Sequence, residues 1–367
     1  MKIVIAGGGT AGHIVPSIAV ADRLREEGAS VEFVGSPDGQ EAWMVPAAGY
    51  RFHAVAATPL RREISLRSAA APFVALRSVV TSRPIVRDAA AVLGMGGYAS
   101  IAPVIAARSV SVPTILHEQN AIPGLANRLL ARLATAMALT FEDSRSRFPR
   151  SLRMEVTGLP LRLEIRGVVA RREELAAEAL RTWDLEPERT TVLVTGGSQG
   201  ALHVDETVAG AIPLLADRSD LQLVVLTGAA HEQVVAAAVT PGMGVIVRAV
   251  PFLERMELVL AVADLAIARA GANTIHELAA CSIPSILVPY PHATDDHQEA
   301  NARELERAGA ADVYRDRDLT PEGLARRLLS LVADGERRTV MAKAGAAWAK
   351  PDADERVADL VRDVAGP

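Results

Sequence analysis

Lys2 to Leu24 reads KIVIAGGGTAGHIVPSIAVADRL. A short β-branched run ends in glycines and passes directly into apolar residues at helical spacing, which predicts a strand, a tight turn and a helix. Thr191 to Ile212, TVLVTGGSQGALHVDETVAGAI, repeats that plan about 190 residues later. Around the first copy, VEFVG, AAVLG and TILHE also read as strands, while IVPSIAVADRLREEG, closed by Gly28, and IAPVIAARSV read as helices. After about residue 163 the alternation restarts, with TTVLVTG, LQLVVLTG, VIVRAV, LAIAR and SILVPY as strands. Strands separated by helices imply right-handed βαβ crossovers and parallel sheets. The expected fold is α/β, with two Rossmann-like, doubly wound domains at residues 1–162 and 163–350. Ligands are expected beyond the carboxyl ends of the strands, where two such domains would face a common cleft. TGLPLR, Thr157 to Arg162, is the expected hinge, and Pro351 precedes a last predicted helix, ADERVADLVRDVA.

Bulk properties narrow the class. The 367 residues suit two domains with real cores. Cys281 is the single cysteine, which excludes a disulfide framework and makes a reducing, cytoplasmic setting the default. The apolar opening is short and runs into a glycine turn, so it does not read as a signal sequence. No stretch reaches the ~18–20 apolar residues of a spanning helix. The net charge of −5 hides an asymmetry, with about +6 on residues 1–162 and −11 on the remainder. A basic amino half suits an anionic partner, although an uneven solvated surface gives the same numbers.

Gly7, Gly9 and Gly12 satisfy the dinucleotide pattern G-x-G-x-x-G after a strand. The ribose-binding acid of that pattern is missing. Glu32 sits at the start of VEFVG, the wrong end, and Ser36 takes the expected place. No Lys-Ser or Lys-Thr pair follows the Gly-rich turns, which excludes a P-loop. Such turns offer backbone N–H groups at a helix start, suited to a diphosphate without a metal, and Ser198 adds a hydroxyl. The alternative is that the glycines only permit tight packing.

His13 follows the first turn directly. A helix start disfavours imidazolium, leaving a neutral ring that can take a proton from a hydroxyl nucleophile. A cap or a phosphate ligand is the other reading. Further polar clusters close other strands: GMGGYAS (Gly94 to Ser100) and HEQNAIPG (His117 to Gly124) in the first half. In the second half ARAGANTIHELAA carries Arg269, Gly271 and Glu277, and PYPHATDDHQEANA carries Asp295, Asp296, His297, Gln298 and Asn301. Gln and Asn are poor transition-metal ligands, so sugar hydroxyls fit this last group better than a metal.

GGGTAGH, GMGGY, HEQN, GGSQGA, RAGANTIHEL and DDHQEANA, in this order and spacing, resemble the MurG family over nearly the whole chain. That resemblance implies the GT-B architecture and an inverting transferase that moves N-acetylglucosamine (GlcNAc) from UDP-GlcNAc to the muramoyl sugar of lipid I, giving lipid II in peptidoglycan synthesis. It implies an amino domain that binds the acceptor and faces the membrane, joined by a returning helix at residues 351–367, and a carboxyl domain that binds the UDP-sugar. His13 matches the family's proposed base. Donor contacts carried over are Ser198 and Gln199 near the phosphates, Glu277 on the ribose, Gln298 on the sugar hydroxyls, and Phe252 and Leu253 beside uracil. Thr10, Ala11, Gly12, Asn120, Arg162, Ala272, Asn273 and Thr274 complete that set. Acceptor contacts carried over are Gly9, Thr10, Gly12, Gly96, Gly97, Tyr98, Glu118 and Asn120. The implied partners are UDP-GlcNAc, lipid I, an anionic membrane surface and other cell-wall synthesis proteins, with no nucleic acid, no metal and no required cofactor. The implied place is the cytoplasmic face of the membrane, peripherally bound.

Three positions depart from the family. Leu159 stands where Asn is expected, Ala270 where some members have Ser, and Ala11 where Gly is common. The rival readings are a nicotinamide or flavin oxidoreductase, a UDP-GlcNAc 2-epimerase and a non-catalytic sugar-nucleotide binder. The missing ribose acid and the second glycine turn disfavour the first. The basic amino half disfavours the second, and His13 the third. Residues 60–90 hold six arginines (Arg61, Arg62, Arg67, Arg77, Arg83, Arg87) against Glu63 and Asp88, interleaved with Ile64, Leu66, Phe73, Val74, Leu76, Val79 and Val80. This segment is the expected membrane contact; ordinary core residues under a basic surface are the alternative.

Overall fold

A computed structural model describes residues 1–57, 71–197 and 200–366. The chain divides into two units, Met1–Arg162 with Lys350–Pro367, and Leu163–Ala349. In the first unit seven parallel strands run β1 (Lys2–Ala6), β2 (Ser30–Gly35), β3 (Arg51–Ala54), β4 (Ala91–Gly94), β5 (Thr114–Glu118), β6 (Ala136–Leu139) and β7 (Arg153–Val156). Their order across the sheet is β3-β2-β1-β4-β5-β6-β7. The second unit holds β8 (Thr190–Thr195), β9 (Leu221–Leu226), β10 (Ile246–Val250), β11 (Leu265–Ala268), β12 (Ser285–Leu287) and β13 (Ala311–Val313), in the order β10-β9-β8-β11-β12-β13. Each sheet reverses its winding at a pair of central strands, β1 with β4 and β8 with β11. Those reversals are where a doubly wound sheet opens a crevice for a ligand.

Both faces of each sheet are covered, so the central strands are apolar throughout rather than alternating. In β1, Ile3 and Ile5 point into one core, with Ile14, Leu24 and Leu93, while Val4 and Ala6 point into the other, with Val92, Val104 and Leu116. The last helix, Ala353–Ala365, returns to the first unit and buries Val357, Ala358, Leu360 and Val361 in the core of Ile3 and Ile5. It packs on the Ala11–Glu26 helix, where Asp354 lies 3.6 Å from Arg23.

The strands read from sequence all form, but four further ones, β3, β6, β7 and β13, do not announce themselves. The edge strands RFHA, RMEV and ADV carry charged or polar residues because one side of an edge is wet. AMAL in β6 is built from good helix formers and becomes a strand only through its pairing with β5 and β7. SILVPY is strand only over Ser285–Leu287, because Pro289 lacks the N–H to continue a ladder. The Thr157–Arg162 segment is more buried than a polar hinge requires. Leu159 and Leu161 are core residues, and a Cβ on Gly158 would stand 2.8 Å from the Lys350 Cβ.

Candidate active site

In the first unit the loops leaving β1 and β4 lock together. His13 is the third residue of the Ala11–Glu26 helix, and its backbone N–H donates to Thr10 O at 3.0 Å. Its ring lies over the loop after β4. A Cβ on Gly96 would come 3.3 Å from His13 Nε2, and one on Gly97 would come 3.2 Å from Cδ2 and 2.4 Å from Gly8 O. Gly96 and Gly97 of GMGGY are therefore held to glycine by the imidazole and the first turn beside them, and both take positive φ as well. Tyr98 stacks near Gly9, whose own Cβ would stand 3.1 Å from Tyr98 Cε1. Ala11 opens the helix and is not among the positive-φ residues, so its methyl costs nothing there.

The loop after β5 completes this side. Glu118 is 2% exposed, and its carboxylate accepts from Asn120 N–H (3.0 Å), Gly124 N–H (3.1 Å) and Asn127 Nδ2 (2.9 Å). Burial raises its pKa, and those hydrogen bonds offset part of the rise. Glu118, which the resemblance gives as an acceptor contact, braces the loop that carries half-buried Asn120. Asn127, which the sequence reading missed, braces the same loop by also donating to His117 O at 2.9 Å. His117 is buried, with its pKa pushed down to about 4 chiefly by desolvation.

Gly9 is held by a side chain from another element. Its N–H is not open to a ligand, because Glu41 Oε2 accepts it at 2.8 Å. Glu32, the acid at the wrong strand end, lies 3.1 Å from Lys2 and 2.8 Å from His53 and has no access to the crevice at the other end of β2. The turn therefore lacks the ribose acid of a dinucleotide site, and the Gly9 N–H is taken up within the protein.

In the second unit the turn after β8 is tight. A Cβ on Gly196 would stand 2.5 Å from Ala201 N, and Gly197 and Gly200 take positive φ. Ser198 and Gln199 lie outside the described residues. Beside this turn, after β11, Gly271 leads into the Ala272–Ala280 helix, whose first turn holds Ala272, Asn273 and Thr274. Glu277 is one turn further along and buried. Gln298 and Asn301 lie on one face of the His297–Arg307 helix and grip the chain after β11. Gln298 Oε1 accepts from Ala270 N–H (3.2 Å) and Tyr290 N–H (3.0 Å), and Asn301 Nδ2 donates to Ala270 O (3.4 Å). With its oxygen engaged twice, Gln298 has its NH₂ donors left for a ligand hydroxyl. Asp295 and Asp296 both adopt φ +53° in the turn before this helix. Arg269 is buried and pinned by Val288 O, Pro289 O and Asp316, a structural task. Phe252 is 76% exposed in the loop after β10, beside half-buried Leu253. Arg162, half-buried, is the last residue of the first unit before the boundary. No group of three His, Cys, Asp or Glu side chains among the described residues is arranged to hold a metal.

Two Rossmann-like units with glycine turns at both winding reversals make up the GT-B architecture, and the family matches place the chain among the glycosyltransferases that use it. Residues 3–139 match the glycosyltransferase family 28 N-terminal domain, and residues 191–357 match the family 28 C-terminal domain. Within that class the chain belongs to the MurG family. It is 38% identical to the UDP-N-acetylglucosamine–N-acetylmuramyl-(pentapeptide) pyrophosphoryl-undecaprenol N-acetylglucosamine transferase of Halothermothrix orenii, over 100% of this chain and 99% of the relative. It is 39% identical to the protein of that name from Nocardioides sp., over 99% and 98% of the two chains. Among solved structures it is similar to Acinetobacter baumannii MurG, with a TM-score of 0.79 and 28% identity over 99% of both chains. A Neisseria meningitidis UDP-GlcNAc 2-epimerase shares the fold alone, with a TM-score of 0.69 at 12% identity over 98% of this chain and 99% of that one.

Proposed function

We propose that this chain transfers GlcNAc from UDP-GlcNAc to the muramoyl sugar of lipid I, with inversion, to give lipid II. The observation that carries the reading is full-length identity of 35–39% to relatives named for that transfer, against 12% to an epimerase of the same fold. The acceptor hydroxyl oxygen attacks the anomeric carbon of GlcNAc, the bond to the diphosphate breaks, and UDP leaves. His13 takes the hydroxyl proton. Thr10, Gly12, Gly96, Gly97, Tyr98 and Asn120 shape the acceptor side. The helix starts at Leu202 and Ala272, with Ser198 and Gln199, stabilise charge on the leaving diphosphate, so no resident metal is called for. Glu277 accepts from the ribose, the Gln298 NH₂ donates to the sugar hydroxyls, and Phe252 and Leu253 flank the base.

The acceptor is a lipid, so the enzyme works peripherally on the cytoplasmic face of the membrane. The Ala71–Val86 helix supports this with an inverted amphipathicity. Ser78 and Ser82 face inward while Phe73, Leu76 and Val80 are 78%, 64% and 52% exposed beside Arg77. Val79 and Ile85 pack against the core instead. Arg61, Arg62, Arg67, Glu63, Ile64 and Leu66 lie outside the described residues. The test of the catalytic assignment is His13→Ala. Turnover should fall roughly 10²–10⁴-fold with UDP-GlcNAc affinity retained; near-normal turnover would reduce His13 to a cap or a phosphate ligand.

A further inference from the structure

The first glycine turn has an anion already inside it. Glu41, the opening residue of the Glu41–Ala47 helix, is 1% exposed and carries no ion-pair partner among the described residues. Its Oε2 accepts from Gly9 N–H at 2.8 Å and its Oε1 from Ser36 N–H at 2.9 Å. Three glycines make room for it: a Cβ on Gly8, Gly35 or Gly39 would stand 2.1 to 2.7 Å from Glu41 side-chain atoms. One carboxylate thus ties the loop after β1 to the loop after β2. It also occupies one backbone N–H of a turn whose sequence pattern offers such groups to anions.

A buried carboxylate without a cation is costly unless its hydrogen bonds are well made. Here it gains two charge-assisted N–H bonds, the stronger kind. The residue it fixes, Gly9, stands under Tyr98 and one residue before Thr10, the cap of the helix that carries His13. We propose that Glu41 is a positioning residue of the transfer reaction: as an internal anion it sets the turn that places His13. The proposal rests on reading the first unit as the acceptor side.

The test uses the full chain. Glu41→Ala removes both acceptors, and Glu41→Gln keeps one while turning an NH₂ toward an N–H. For folded Glu41→Ala, turnover of a lipid I analogue should fall by about tenfold or more, with the KM for UDP-GlcNAc within about twofold of wild type, since small displacements of a reacting group cost rate rather than remote binding. Glu41→Gln should fall between. Acetate, which fits the vacated carboxylate position, should raise turnover of Glu41→Ala and leave wild type unchanged. Amide exchange over Gly9 to His13 gives a readout independent of activity: faster in Glu41→Ala, slowed again by acetate. Wild-type turnover and wild-type exchange in the folded alanine variant would overturn the proposal; should that variant not fold, the same two results in Glu41→Gln would do so. A wild-type enzyme that makes no product would overturn the transfer function instead, leaving exchange to decide Glu41.

Discussion

His117 and Glu118 are neighbours on β5 and respond to burial in opposite directions. Desolvation holds the His117 ring neutral down to a pKa of about 4, from an ordinary 6.5; its bond to Gly158 O pulls the other way, and nearby His13 adds to the lowering. Below pH 6.5 the unfolded chain takes a proton that the native ring refuses, so this contribution to stability is lost as pH falls toward 4. The full effect is about 3 kcal/mol. Burial raises Glu118, so its contribution falls as pH climbs above 4.5. Subtracting His117→Gln from wild type isolates the histidine. The stability gap should be constant above pH 6.5 and shrink between 6.5 and 4 in denaturant titrations; parallel curves would contradict the account. On the donor side, Glu277→Ala and Gln298→Glu each remove one expected hydrogen bond to UDP-GlcNAc, the second without releasing Ala270 and Tyr290 N–H. Each should cost about 0.5–1.5 kcal/mol of affinity by calorimetry. Unchanged affinity in both would remove the second unit's assignment.

Elements whose sequence and environment agree were legible: β1 and β8 are rich in β-branched residues and buried on both faces, and the last helix alternates Val357, Leu360 and Val361 with charge. β6 and the wet edge strands were not, since only tertiary pairing makes them strands. At the site, His13 and the glycine loops could be read because their chemistry is local. Glu41 and Asn127 could not, because each acts on a segment brought near by folding: Glu41 on Gly9, 32 residues away, and Asn127 on His117 O. The Ala71–Val86 helix was half legible, its residue types visible in sequence but its exposed stripe only in the fold. That stripe makes a prediction of its own. Phe73→Ser with Leu76→Ser and Arg77→Glu should abolish co-sedimentation with anionic vesicles, and salt should weaken wild-type binding as it screens the ~1 kcal/mol per basic residue. Equal sedimentation of wild type and variant would contradict a membrane role for this face.

At the scale of the whole molecule, two units of the same plan have diverged in charge and in what their turns hold. The first unit is basic and braces its glycine turn with its own carboxylate, with the His13 ring set against the GMGGY loop. The second is acidic and keeps its turn tight, beside a helix bearing Glu277 and a chain gripped by Gln298. That division suits one substrate per unit, a lipid diphosphate acceptor and a sugar nucleotide. The fold alone does not separate transfer from epimerisation, since an epimerase shares it at 12% identity. The product does. Purified enzyme given radiolabelled UDP-GlcNAc and a lipid I analogue should move label into a disaccharide lipid with the β linkage and release UDP, in an acceptor-dependent way. Formation of UDP-ManNAc without acceptor, or no labelled lipid under conditions where UDP-GlcNAc binds, would contradict the account.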